Sequence, residues 1–359
     1  MAYSDERNRN ALMKSLLLEE YGKLAIADLP RPEPGEHDVL VRVAACGICG
    51  SDVHGYDGSS GRRIPPLVMG HEASGVVEAV GSAVKEYRPG ERVTFDSTVY
   101  CGQCTYCRRG DVNLCDNRQV IGVSCGDYRR NGAFAEYIAV PERILYRLPP
   151  KMSFPEAAML EATSVALHAV KVSEVKKGDT TLVVGAGMIG LLTMQALRAA
   201  GVGRVMIADI DETRLTLGEL LGADEALRGT GGEIAQAILE RTNGVGADMV
   251  FDAVGRAKTV QESIDSVRKG GTVTLIGNIE PQVTLPLQKV VSRQIRLQGT
   301  AASSGEYPEA IQLISTGRIH VRPLITAVAP LEEGPRWFER LHAQEPNLMK
   351  VVLAPGEEG

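Results

Sequence analysis

Apolar and polar residues alternate through Met13–Pro30 (MKSLLLEEYGKLAIADLP), break at RPEPGEHD, and resume as VLVRVAA up to Ala45. A period of two interrupted by Pro and Gly predicts β-strands joined by tight turns. The same pattern returns in Gly70–Gly81 (GHEASGVVEAVG), in Glu91–Thr98 and in Gly132–Val140. No stretch before about residue 154 carries the spacing of an amphipathic helix. The first part of the chain is therefore expected to be β-rich and barrel-like. At Ser153 the texture changes, and SFPEAAMLEATSVALHAVKVSEVKKGD has helical periodicity. Ser153 suits an N-cap, Pro155 the first turn and Glu156 the position that closes a capping box.

Next comes TTLVVGAGMIGLLTMQALRAAGVGRVMIADID: an apolar strand, a Gly-rich turn, a helix, and a second strand ending in acid. Helices are expected near Arg214–Leu221, Gly232–Thr242 and Thr259–Lys269, with strands at Asp248–Ala253, Thr272–Ile276 and Gln294–Gly299. Continuous apolar strands alternating with helices predict a doubly wound parallel sheet of the Rossmann type, so the fold class is α/β. A helix at Tyr307–Gly317 and a strand in LMKVVLAP remain, and the simplest place for that strand is back on the first domain. The expected organisation is a polar extension over 1–12, a first domain over 13–155, a nucleotide-binding domain over 156–300, and a return segment over 301–359.

Length supports two domains, since 359 residues exceed what one core usually organises. A formal charge of -6 and a pI near 5.7 argue against a nucleic-acid partner or an anionic membrane surface. No apolar run reaches membrane-spanning length, and MAYSDERNRNA lacks an apolar signal core, so a cytoplasmic enzyme is the expectation. All seven cysteines fall within the first 126 residues. Tight C-x-x-C spacing in such a chain points to metal rather than to a disulfide framework.

Three stretches carry chemistry. The first runs from Cys46 to Glu72 and gathers thiols, imidazoles and carboxylates of the kind zinc accepts, so it reads as half of a catalytic metal site. The second, CGQCTYCRRGDVNLC, spaces Cys101, Cys104, Cys107 and Cys115 so that four thiolates can close around one structural zinc. Incidental thiols and a redox C-x-x-C pair are the alternatives. The third is Gly185-Ala186-Gly187-Met188-Ile189-Gly190, a G-x-G-x-x-G turn between strand and helix, whose free N–H groups suit a pyrophosphate. Asp209, ending the next strand, suits the adenosine ribose hydroxyls and would repel a 2′-phosphate, so NAD is expected over NADP. Arg214 either flanks that ribose or is a solvated helix residue. Val254–Gly255 and Ile276–Gly277, closing later strands, are candidates to let the cofactor cross the sheet edge.

The motifs CGSDVH at 49–54, GHEASGVV at 70–77, the four-cysteine lobe and VVGAGMIG with Asp209 resemble, in order, the zinc-dependent alcohol dehydrogenases of the medium-chain dehydrogenase/reductase family. The resemblance spans the chain from Met13 onward. It implies a GroES-like catalytic domain, a Rossmann domain inserted into it, and an active site in the cleft between them. It also implies two zinc ions per chain, NAD, a small alcohol or polyol substrate, and a homodimer or homotetramer. The ligands it assigns are Cys49 and His71, with Glu72 as an exchangeable or neighbouring carboxylate and Cys46 left as a core thiol. The third ligand of the classical enzymes is a cysteine, and the matching place here is Glu161, which resembles the sorbitol-type polyol and threonine dehydrogenases.

The implied chemistry is zinc acting on the substrate oxygen so that an alkoxide forms, followed by hydride transfer to the nicotinamide. Ser51 and His54 would carry the proton to solvent, and Asp52 would orient His71 or its loop. His37, His168, His320 and His342 are expected to be structural, and Arg62 and Arg63 to be surface residues, with recognition of a carboxylate or phosphate as the alternative. The polyol enzymes carry a substrate-contacting arginine soon after the glycine that follows the last Rossmann strand. Here that segment is Gly299-Thr300-Ala301-Ala302-Ser303-Ser304, with serines instead. The expected reaction is oxidation of a secondary alcohol in a polyol, sugar alcohol or sugar acid to a ketone. L-Threonine 3-dehydrogenase or butanediol dehydrogenase activity, or a non-catalytic zinc- and nucleotide-binding role, are the alternatives.

Overall fold

The computed structural model describes residues 12–230 and 232–356. The extension expected over 1–12 lies outside the described residues except at Leu12, which already opens the first strand. Contacts divide the chain into two compact units: one runs to Glu161 and resumes at Val321, and the other is Ala162–His320.

The alternation near the N-terminus becomes the antiparallel pair Leu12–Glu20 and Lys23–Pro30. The main sheet of this unit is seven-stranded and has the Asp38–Gly47 strand at its centre, flanked by Glu72–Val80, Tyr137–Pro141 and Lys350–Ala354. Leu16, Leu18, Val41, Val43, Phe95, Phe134, Phe338 and Leu353 fill the core behind it. Two short helices, Gly50–Tyr56 and Thr105–Arg109, interrupt the β pattern. Neither is long enough to display a period, and Gly50 and Gly55 lower the helical propensity of the first. The Ser153–Glu156 capping box forms, but the helix it opens stops at Ala157 and a second helix runs over Leu160–Val172.

In the second unit six parallel strands follow the order Glu225–Arg228, Arg204–Asp209, Thr180–Val184, Ala247–Asp252, Val267–Leu275, Arg296–Gly299. The order reverses between Thr180–Val184 and Ala247–Asp252, where doubly wound sheets bind ligands beyond the strand ends. The Glu225–Arg228 strand and the Leu287–Ser292 helix were not anticipated, because runs as short as EALR and LQKVVS fit either periodicity.

The chain re-enters the first unit at Val321, later than the residue 301 expected from sequence. The helix Tyr307–Ser315 stays with the second unit because Tyr307 is fully buried there and Glu306 is anchored just before it. The Glu306 carboxylate accepts from His168 Nδ1 and Lys171 Nζ, both at 3.0 Å, and from the Ser304 N–H at 2.5 Å. Burial favours its neutral form, yet these donors outweigh burial and hold its pKa at about 2 rather than 4.5. A carboxyl depressed in the folded state stabilises above its unfolded pKa and stops doing so as pH falls through the folded value. Glu306→Gln should therefore cost about 2–3 kcal/mol at pH 7. In denaturant melts that difference should shrink from pH ~4.5 downward and vanish near pH 2; a gap that persists at pH 2 would disprove the ion-pair account.

Candidate active site

Cys49 ends the central strand region and caps the Gly50–Tyr56 helix, its N–H donating to Asp52 Oδ2 at 3.3 Å. His71 precedes, and Glu72 opens, the strand that pairs with Asp38–Gly47, with Glu72 in register against Gly47. Sheet register thus brings two distant segments together. One ligand atom from each of Cys49, His71 and Glu72 lies within 4.8 Å of the other two.

The electrostatics around this cluster are compensated pair by pair. Asp52 is fully buried, and His71 Nδ1 lies 3.4 Å from its Oδ1, close enough for ion pairing but not aligned as a hydrogen bond. Burial alone would raise the Asp52 pKa, but His71 and Arg63 hold it at about 2. Burial opposes charge on His71, and the Asp52 carboxylate overrides it and raises the imidazole well above its ordinary value. Glu72 Oε2 sits 2.5 Å from Lys350 Nζ, which also donates to the Ile48 carbonyl at 3.1 Å. Burial disfavours the Lys350 charge, but Glu72 beside it keeps the pKa raised.

Glu161, expected as the third ligand, is not among the three residues whose donor atoms meet; it accepts from Ser97 Oγ at 3.2 Å instead. Its pKa is raised, first by burial and also by the neighbouring Glu72. Ser51 and His54 are both exposed on the same short helix and share no hydrogen bond among the described residues; His54 Nδ1 lies 3.4 Å from Ser59 Oγ. Cys46 is fully buried in the sheet core, where burial pushes its thiol up. Arg63, expected at the surface, is only 5% exposed, because its guanidinium turns inward to Ser51 and Asp52. In the 299–304 segment Ser303 is buried and the Ser304 N–H is committed to Glu306.

Sequence reading also passed over Lys350 and Ser97. A single lysine in the strand KVVLA was the available signal for the first, since charges are rarely buried unpaired. Nothing in the sequence marks Ser97.

The four lobe thiols are free and clustered within 4.8 Å. Cys101 Sγ lies 3.9 Å and Cys104 Sγ 3.5 Å from Cys107 Sγ. Tetrahedral zinc at ordinary Zn–S distances puts sulfurs about 3.8 Å apart, so the cage has the size zinc needs. Backbone N–H groups of Gln103 and Cys104 lower the Cys101 thiol to about 6, which favours the thiolate.

In the second unit the Met188–Ala200 helix begins directly after the Gly-rich turn, with Gly187 as N-cap and Met188 and Ile189 in its first turn. A Cβ on Gly190 would fall 1.7 Å from the Gly185 carbonyl oxygen, so only glycine lets the helix approach this closely. Asp209 accepts from the Ala186 N–H at 2.6 Å and the Asp211 N–H at 3.0 Å, which places its carboxylate against that turn. Arg214 is turned to Asp211 at 3.7 Å. The buried Asp252 accepts from the N–H groups of Val254 and Gly255, and its own carbonyl accepts from those of Ile276 and Gly277, so one residue ties both loops.

The alcohol dehydrogenase GroES-like domain family matches residues 35–150, and the zinc-binding dehydrogenase family matches residues 189–316. D-xylulose reductase A of Aspergillus niger is 36% identical over 94% of this chain and 96% of its own. The chain belongs to the zinc-dependent alcohol dehydrogenases. It is a zinc-dependent, NAD-linked dehydrogenase of the medium-chain dehydrogenase/reductase group, with a GroES-like and a Rossmann-type part. Among solved structures, a zinc-binding dehydrogenase from Sinorhizobium meliloti 1021 bound to NADP superposes with a TM-score of 0.87 at 34% identity, covering 96% of this chain and 99% of that one. The rspB alcohol dehydrogenase of Escherichia coli CFT073, complexed with NADH, gives 0.89 at 29% identity over the same shares. No helix among the described residues is long and apolar enough to cross a membrane.

Proposed function

We propose that this dehydrogenase oxidises a secondary alcohol of a polyol, sugar alcohol or sugar acid to the ketone, with NAD as hydride acceptor. The observation that carries the reading is the sulfur, nitrogen and oxygen donor set of Cys49, His71 and Glu72. Three such residues would hold a zinc ion and leave room on it for a substrate oxygen. Zinc held there supplies Lewis-acid polarisation of the substrate oxygen. Asp52 lies on the Nδ1 side of His71 at 3.4 Å, a charge contact that would leave Nε2 for the metal. Lys350 balances Glu72, and Glu161, steadied by Ser97, is the carboxylate available for exchange. Cys101, Cys104, Cys107 and Cys115 would hold a second, structural zinc. Ser51 would accept the substrate hydroxyl proton, and His54, exposed on the same short helix, would release a proton to solvent.

The substrate class is supported by the relative named for D-xylulose, a ketose whose carbonyl is a secondary alcohol in the reduced form. Pyrophosphate is assigned to the turn from Gly185 to Gly190, and the adenosine ribose to Asp209. Trial oxidations of sorbitol, galactitol, 2,3-butanediol and L-threonine should give NADH fastest with a polyol. A preference for L-threonine or butanediol replaces the substrate class, and no turnover at full zinc occupancy favours the non-catalytic reading. Asp209→Ala should raise KM for NAD roughly 10-fold or more, the cost of lost charge-assisted hydrogen bonds, with little change for NADP. Equal loss for both cofactors would remove the ribose assignment.

A further inference from the structure

Arg63 is a buried cation beside the site that touches neither the three donor residues nor the Gly-rich turn. Its Nη2 donates both to Ser51 Oγ at 3.2 Å and to Asp52 Oδ1 at 3.3 Å, while Nη1 donates to the Arg62 carbonyl at 3.2 Å. Its backbone is fixed as well, through a bridge to Ser124. The side chain reaches inward over the Gly50–Tyr56 helix at Gly55. A Cβ there would meet Arg63 Cγ at 2.1 Å, so glycine leaves a slot that the arginine stem fills. The helix sacrifices propensity at that position to admit the side chain.

From this geometry we infer that Arg63 is a positioning residue for proton transfer, acting through Ser51. The inference rests on the reading of Ser51 as the proton carrier. A hydroxyl offers one donor and two acceptor lone pairs. Arg63 occupies one lone pair, which leaves one acceptor for the substrate hydroxyl proton and one O–H to hand a proton onward. The serine begins and ends neutral, so the step balances. Ser51 is exposed, and without this contact its side chain would sample the staggered wells open to a free serine. The same nitrogen fixes Asp52, which backs His71, so the hydroxyl and the metal-binding imidazole are referred to one rigid group. Lysine would keep the charge opposite Asp52, but its ammonium ends one bond short of Nη2 and has no second nitrogen to anchor it on the Arg62 carbonyl.

That difference supplies the test. Arg63→Lys keeps a cation on Asp52, so it should fold and retain zinc where Arg63→Met, taking one of the two cations from a fully buried carboxylate, can fail to fold. Wild type, Ser51→Ala, Arg63→Lys and the double variant are compared for zinc content, KM and the pH dependence of kcat. Arg63→Lys should keep zinc and KM and lose kcat roughly 10- to 100-fold, part of the roughly 10²- to 10⁴-fold that a positioned proton carrier contributes. The double variant should be no slower than Ser51→Ala. A crystal structure of zinc-free Arg63→Lys should show Ser51 in more than one rotamer, and a single wild-type rotamer counts against the proposal. Undiminished kcat in Arg63→Lys, or losses that multiply in the double variant, overturn it. If Ser51→Ala itself turns over like wild type, the proton-carrier reading fails, and this inference goes with it.

Discussion

Cys49→Ala is expected to leave one zinc per chain where the parent has two, and to lower turnover by about 10³-fold or more. The alanine removes the sulfur from a three-donor set, and His71 with Glu72 alone cannot define a tetrahedral site. Lewis-acid polarisation is a term of several kcal/mol, and about 4 kcal/mol corresponds to roughly three powers of ten in rate. The lobe zinc should be unaffected, because its four thiols form a separate cage within Cys101–Cys115. Metal analysis and steady-state kinetics on the same preparation check both halves of the expectation. Two zinc ions retained in the variant, or turnover within 10-fold of the parent, would show that Cys49 is not a ligand.

The second large effect belongs to Lys350→Met. The lysine and glutamate side chains of this pair are 4% and 1% exposed. Water therefore screens little of their interaction, and removing one partner leaves an uncompensated buried charge, which typically costs about 3–5 kcal/mol. The expected result is a large fall in denaturation midpoint, measured on zinc-free protein so that metal binding does not mask it. Lys350→Met combined with Glu72→Gln should recover most of the loss, because neither charge then remains. If the double variant is as unstable as the single one, Lys350 matters for packing and not for charge.

The fold was legible wherever a period ran long enough to be unambiguous. The parallel sheet could be read from VVGAGMIG and its neighbours because apolar strands and helices alternate there over many turns. The Gly50–Tyr56 helix could not, since seven residues containing two glycines show neither period. Within the site, residue types named Cys49, His71, Glu72 and Asp209 as candidates, but their distances depend on strand register, which the sequence does not print. Glu161 and Glu72 illustrate the gap. Both were available carboxylates, and only the pairing of Glu72 with Gly47 brings its oxygen to the other two donors. Arg63 read as a surface residue because nothing local announces that Gly55, eight positions earlier, leaves room for its stem. Lys350 hid for a different reason: its partner is separated from it by 278 positions in the chain.

The two segments of the first unit are made far apart in synthesis. Residues 162–320 are contiguous and can fold as soon as they have been translated. The Asp38–Gly47 strand is made early, yet its neighbour Lys350–Ala354 comes only after that whole insertion. Until then Cys46 and Gly47, at the end of that strand, lack the partner that Leu353 and Val352 supply, and Glu72 waits without its counter-charge. On the ribosome the nucleotide-binding part is thus complete while the metal-binding part is still open, and the strand that closes the sheet also delivers the cation that the site requires.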